Sequence, residues 1–138
     1  AMLGGISGHA GLFSNANDLA KLMQMLLNNG EYGEEKYLDA KTIALFTSCT
    51  NCDQNRRGLG FDKPELNPDK EGPVFKGISG KSYGHSGFTG TLTWVDPETR
   101  IVYVFLSNRT FPDASNFKLV INNVRTDILK AFYNAMEE

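Results

Sequence analysis

The sequence predicts an α+β domain in which helices pack on an antiparallel sheet, and three patterns point to it. Leu19, Leu22, Met23, Leu26 and Leu27 recur at helical spacing. Residues 91–95 alternate polar and apolar and lead through the turn Asp96-Pro97-Glu98-Thr99-Arg100 into residues 101–106, apolar on both faces. Beyond Asn116, the residues Leu119, Val120, Val124, Ile128, Leu129 and Phe132 mark one side of a long helix, with Arg125, Asp127 and Lys130 toward water. A hairpin whose second strand lies inside a sheet, covered by helices, is the α+β layout.

Taken in order, residues 1–14 are rich in glycine (Gly4, Gly5, Gly8, Gly11), and Leu3, Ile6, Leu12 and Phe13 among them are expected to be buried in close-packed turns. A domain that began within such a segment would be unusual, so a truncated domain is expected. Ser14-Asn15-Ala16-Asn17-Asp18 carries the oxygen acceptors of a helix start, and Asn28-Asn29-Gly30 closes that helix, spanning roughly 16–28. Glu31-Tyr32-Gly33 reads as a turn and Tyr37-Leu38 as a short extended piece. A second, shorter helix follows Asp39 through Ile43, Leu45 and Phe46. Residues 51–57 read as loop, and Gly58-Leu59-Gly60-Phe61 as a short strand made for close backbone approach. Residues 63–81 hold three prolines and many charges, the composition of a long surface loop.

The 138 residues suit a single domain, 1–138, with a real core. Hydrophobic residues make up 41% and charged residues 22%, ordinary values for a globular domain. A net charge of -2 gives no basic field to recruit nucleic acid or an anionic membrane. No apolar run is long enough to span a bilayer, and no secretory leader opens the chain. The lone pair Cys49 and Cys52 lacks a second ligand pair, with His9 and His85 far off in sequence. It sits in a polar turn and not between a strand and a helix. An incidental loop pair, oxidised locally, is therefore expected, and no metal or other cofactor.

The chemistry concentrates in His85-Ser86-Gly87-Phe88-Thr89-Gly90-Thr91. A histidine, a hydroxyl neighbour and two glycines open the strand at Leu92. Such an edge lets a ligand backbone or carboxylate lie close beside a titratable donor. The stretch resembles the third active-site box of the serine β-lactamase and penicillin-binding protein family, where His-Ser/Thr-Gly replaces Lys-Thr-Gly in many members. Three further segments match in order. Gly8-His9-Ala10-Gly11-Leu12-Phe13-Ser14 with Asp18-Leu19-Ala20-Lys21 is similar to the family's Gly-x-Ala-Gly-Leu-x-Ser segment and helix. Arg57-Gly58-Leu59-Gly60-Phe61-Asp62 resembles its short Gly-Leu-Gly strand, and Ser107-Asn108-Arg109 ends the next strand as family members do.

The resemblance implies a partial β-lactamase/transpeptidase-like fold in the C-terminal part of a hydrolase that works through an acyl-enzyme on a β-lactam, a D-Ala-D-Ala-type peptide or an ester. It implies that the Phe88 amide helps form the oxyanion hole, that Gly87 leaves room for substrate backbone, and that Ser86 bonds a substrate carboxylate. His85 takes the place of the box lysine as donor or partial cation, with less fixed charge. Thr89 is a substrate contact or an ordinary strand hydroxyl. Arg109 borders the cleft or caps helix carbonyls, and His9 supports packing between Gly8 and Gly11. The family also implies a periplasmic or cell-envelope setting.

Two expected parts are missing. Ser115-Asn116-Phe117-Lys118 satisfies Ser-x-x-Lys, but it follows the third box, whereas the family's nucleophile lies far N-terminal to it. None of the five tyrosines has Asn two residues on, so the second box, Tyr-x-Asn, is absent. The chain is therefore expected to supply one cleft wall, to need the missing N-terminal part of its domain, to be inactive alone and to self-associate through exposed sheet edges. Two other readings stand beside this one. One is a non-catalytic module holding peptidoglycan peptides. The other is the tail of a fusion whose main activity is a β-N-acetylglucosaminidase, although no acidic pair in the chain is distinguished for that chemistry.

Overall fold

A computed structural model describes residues 8, 12–49, 51 and 55–136. His9, Cys52 and most of the glycine-rich opening lie outside the described residues. Two helices, α1 (Ala16–Leu27) and α2 (Ala40–Thr47), precede three strands, β3 (Tyr83–Ser86), β4 (Leu92–Asp96) and β5 (Ile101–Phe105). Between the two helices lies the small hairpin β1 (Glu31–Tyr32) and β2 (Glu35–Lys36). A short helix, α3 (Lys118–Ile121), and the longer α4 (Val124–Met136) complete the order. The sheet is antiparallel in the order β3-β4-β5, and with its helices it gives the molecule the expected mixed α+β character.

Helix α1 starts where its polar residues dictate. The Asn15 side chain accepts from Asp18 N and its amide donates to the Asp18 carboxylate, satisfying an orphan donor of the first turn. It stops at Asn28, after which Asn29 and Gly30 turn to positive φ. Asp39 caps α2 by accepting from Lys41 N.

The two faces of the sheet bury two different clusters. Met23, Leu26 and Leu27 of α1 and Ile43 of α2 pack with Tyr83 and Val95 on one face. On the other, Leu92, Trp94 and Tyr103 pack with Leu129 of α4 and with Val74 and Ile78. Alternation along β4 decides the assignment, since neighbouring strand residues point to opposite faces. The close pairing of β3 and β4 depends on Gly84, which lies opposite Trp94. A β-carbon there would collide with the Thr93 carbonyl and the Trp94 ring.

Polar contacts lock the far end of the hairpin. Tyr133 of α4 donates to the buried Asp96 carboxylate at 2.7 Å, and Arg100 donates to Asn28 at the end of α1. Burial and the Asp96 contact both hold the Tyr133 phenol above its ordinary range.

Several expectations are corrected. The C-terminal helix is broken at Asn122–Asn123, because Asn123 adopts the left-handed conformation that asparagine tolerates. Of its expected inner face only Leu129 is buried, with Ile128 and Phe132 exposed, while Arg125 turns inward. Gly58-Leu59-Gly60 is a turn and not a strand, and Arg57 and Asp62 pair across it. Leu12 and Phe13 are exposed, since no described element lies over the approach to α1. Residues 31–36 form a hairpin, where only a turn was expected.

The segment 63–81 is not all surface. Val74 and Ile78 enter the core, and Lys63 is only 6% exposed. Burial lowers the Lys63 ammonium to about 8. The unfolded chain, with an ordinary lysine, therefore binds more protons than the folded chain above that value, so stability rises with pH. Urea titration is expected to show a gain in stability from about pH 8 to about pH 10 that Lys63→Met removes. Gly84→Ala should lower stability by about 1–3 kcal/mol by the same measurement, through overpacking against Trp94.

Candidate functional site

The loop between β3 and β4, residues 87–91, is the candidate site. It closes on itself: Gly87 N donates to Thr91 O at 2.8 Å and Gly90 N to Gly87 O at 3.0 Å. Closure needs a glycine at 87, since a β-carbon would meet the Thr91 hydroxyl. The end of β5 runs alongside, because Leu92 pairs with Phe105. Ser107 Oγ and Arg109 N both donate to Thr89 O, at 3.1 and 2.9 Å. From α4, Arg125 Nη1 lies 3.3 Å from both Gly90 O and Thr91 O. Burial and the nearby Arg109 charge pull the Arg125 guanidinium below its usual value, partly offset by Tyr103.

The result is a loop whose carbonyls are largely committed and whose amides at 88 and 89 are not. Gly87 O, Thr89 O, Gly90 O and Thr91 O all accept from the protein. Among the described residues, nothing accepts from the N–H of Phe88 or of Thr89. Phe88 itself is 77% exposed. Uncommitted backbone donors held by a rigid loop suit an anionic oxygen.

His85 and Ser86 end β3 at the mouth of this loop. The His85 ring is exposed and held at both nitrogens. Nδ1 lies 2.7 Å from Ser86 O, and Nε2 lies 3.3 Å from Arg57 Nη1. A carbonyl can only accept and a guanidinium can only donate, so the proton sits on Nδ1 and Nε2 is the acceptor. The fixed positive charge beside His85 belongs to Arg57.

Arg57 reaches His85 because of the backbone pairing next to it. Asp62 N donates to Gly84 O at 2.7 Å, and Gly84 N to Asp62 O at 3.0 Å, setting the 57–62 turn against the free edge of β3. The Asp62 carboxylate is 2% exposed and pairs with Arg56 at 3.1 Å, which anchors that turn. Arg57 and Arg125 are the site residues that sequence reasoning missed. Arg57 was counted only as the first residue of a strand-like segment, and Arg125 as a water-facing helix residue.

Arg109 is engaged on several sides. Its guanidinium stacks 4.9 Å from the Phe88 ring centroid and 4.5 Å from that of Phe117. Its Nη1 donates to the carbonyls of Ala114 and Asn116. These carbonyls belong to the loop before α3 and not to a helix end. Arg109 thus braces Phe88 and the 110–117 loop together. The structure brings His85, Ser86, Gly87, Phe88, Thr89 and Arg109 to one end of the sheet.

Ser115 and Lys118 form no nucleophile–base pair. Ser115 Oγ donates 2.8 Å to an Asp113 oxygen, and Ser115 N bonds the other. These two bonds hold the Asp113 carboxyl below its ordinary value. Lys118 begins α3, its own N–H accepted by Asn116. Cys49 is disulfide-bonded, so it has no thiolate to offer a metal or a redox partner. Tyr83, buried against Phe61, has its phenol pushed up to about 12 by desolvation. No helix among the described residues is long and apolar enough to cross a membrane.

A sequence model of the Beta-lactamase family matches residues 1–124. Proteins named "Putative D-alanyl-D-alanine carboxypeptidase" from Salmonella paratyphi B, Salmonella newport and Salmonella heidelberg are each 41% identical over 131 residues, 94% of this chain. The match covers 29% of each relative, so the chain spans under a third of their length. By the family match along most of its length, the chain belongs to the β-lactamase family, the serine hydrolase family that its His-Ser-Gly box resembles.

Proposed function

We propose that these residues form one wall of the acyl-transfer cleft of a serine hydrolase acting on a carboxylate-bearing D-Ala-D-Ala-type peptide or the β-lactam that mimics it. The observation that carries this reading is the uncommitted Phe88 N–H in a loop whose neighbouring carbonyls are engaged. In this reading the Phe88 amide donates to the oxyanion that develops as a serine attacks the substrate carbonyl. Gly87 admits the substrate backbone, and Ser86 and Thr89 supply hydroxyls along the wall. Arg109 acts by bracing Phe88 and not by touching substrate.

Arg57 tips the substrate class toward acids. A guanidinium pairs a carboxylate through two parallel bonds and stays charged at any physiological pH. His85 Nε2, already accepting from Arg57, holds that cation at the mouth of the loop. The name carried by the Salmonella relatives supports the same class. Such a substrate belongs to the cell envelope.

The nucleophile and its base are assigned to residues outside these 138. Without an activated serine there is no covalent intermediate, so the chain alone carries no turnover. β5 has a strand neighbour on one side only among the described residues, and edges of this kind pair with other chains. Light scattering is expected to show self-association, and a clean monomer would contradict it.

Two experiments test the reading. In the first, these residues replace the 131 aligned residues of a Salmonella relative. The chimera is expected to gain the mass of one fluorescent penicillin, while the 138-residue chain gains none. A labelled isolated chain would move the nucleophile to Ser115 and overturn the assignment. In the second, Arg57→Ala in the chimera should lower kcat/KM about 10- to 100-fold for a peptide with a free carboxylate, and leave its amide-capped analogue little changed. Equal losses on both substrates would remove Arg57 from carboxylate recognition.

A further inference from the structure

A cavity of about 420 Å³ lies between the end of α1, α2 and the segments around Lys63 and Tyr83. Leu26, Leu27, Ile43, Pro64 and Tyr83 give it apolar walls, and Lys63 is the buried cation among them. None of the residues from His85 to Arg109 assigned to the cleft wall lines it.

The Lys63 ammonium is poorly compensated. It donates to Lys81 O at 3.0 Å and stands 5.8 Å from the Tyr83 ring centroid. An ammonium has three donors, and one carbonyl takes one. Among the described residues no carboxylate lies within ion-pair distance. The neighbouring charges are paired elsewhere: Asp62 with Arg56, and Lys81 with Glu98. Burying a cation without a counter-ion is costly, and the cost falls when an anion enters beside it.

We propose that this cavity binds a small amphipathic carboxylate, its acid head on Lys63 and its short apolar body against Leu26, Leu27 and Ile43. Both halves of the ligand are read from the walls. A purely apolar molecule would leave the Lys63 donors unmet, and a small inorganic anion would leave the apolar walls uncovered. The cavity also joins α1, α2 and the start of β3, so an occupant would brace elements that carry the candidate site.

The lowered Lys63 value sets the pH window. Binding an anion needs the charged amine, so affinity should be full well below about pH 8 and fade above it. Two other titratable residues line the cavity: Tyr83 keeps its proton through this range because burial pushes it up to about 12, and the Lys81 ammonium is paired with Glu98 at 3.0 Å.

Sodium hexanoate and 1-hexanol serve as matched probes on the 138-residue chain. Hexanoate is expected to raise Tm in a saturable way at about pH 6 and to lose this effect at about pH 10, with hexanol at least about tenfold weaker at the lower pH. Lys63→Met keeps the apolar stem and removes the charge, and it should reduce hexanoate to the level of hexanol. Methyl NMR on the unsubstituted chain gives a readout that does not depend on the variant folding. The Ile43 methyl resonances should shift with hexanoate far below the concentration at which hexanol moves them. Equal effects of the two probes, unchanged hexanoate affinity in Lys63→Met, or shifts confined to other methyls would each overturn the proposal.

Discussion

The candidate site rests on how closely β3 can lie beside β4. Gly84 sits flush against the Trp94 ring and the Thr93 carbonyl, with no room for a side chain. On its other edge the same residue exchanges both backbone hydrogen bonds with Asp62. One glycine therefore sets two registers. The first carries His85 and Ser86 to the mouth of the loop, and the second brings Arg57 against His85. A slip of one residue in the first pairing would send the histidine to the opposite face, and a slip in the second would carry Arg57 away from it.

The polarity of the loop follows from the same packing. Side chains and amides from the segment after β5 and from α4 spend their donors on its carbonyls, chiefly Ser107, Arg109 and Arg125. That leaves N–H groups as the unspent polarity at an exposed position. Preorganised donors of this kind need no rearrangement when negative charge appears, the property on which electrostatic catalysis depends. Positive side chains around the loop reinforce it, and Arg109 stacked between Phe88 and Phe117 keeps it from relaxing.

The parts of this architecture visible in the sequence were those with a period or a cap. The α1 stripe, the Asn15 start and the β4–β5 hairpin all express local chemistry, and they appear where that chemistry puts them. The His-Ser-Gly box was legible because its residue types are unusual together. What escaped was set by distant contacts. Nothing local to Lys63 says that a charged residue in a proline-rich stretch is buried; that follows from the fold closing over it. Arg57 and Arg125 have the same history, since one depends on pairing with β3 and the other on α4 turning inward. The break at Asn123 was readable in principle, because two consecutive asparagines weaken a helix, but the apolar pattern on both sides masked it.

The most direct measurement is a backbone NMR titration of the 138-residue chain with an N-acylated peptide ending in D-Ala-D-Ala. If this end of the sheet is the substrate wall, the amide resonances of Gly87, Phe88 and Thr89 should move first and together, with the Arg57 side chain following the peptide carboxylate. An unmoved Phe88 amide, with changes clustered at another surface, would contradict the assignment of this loop as the cleft wall.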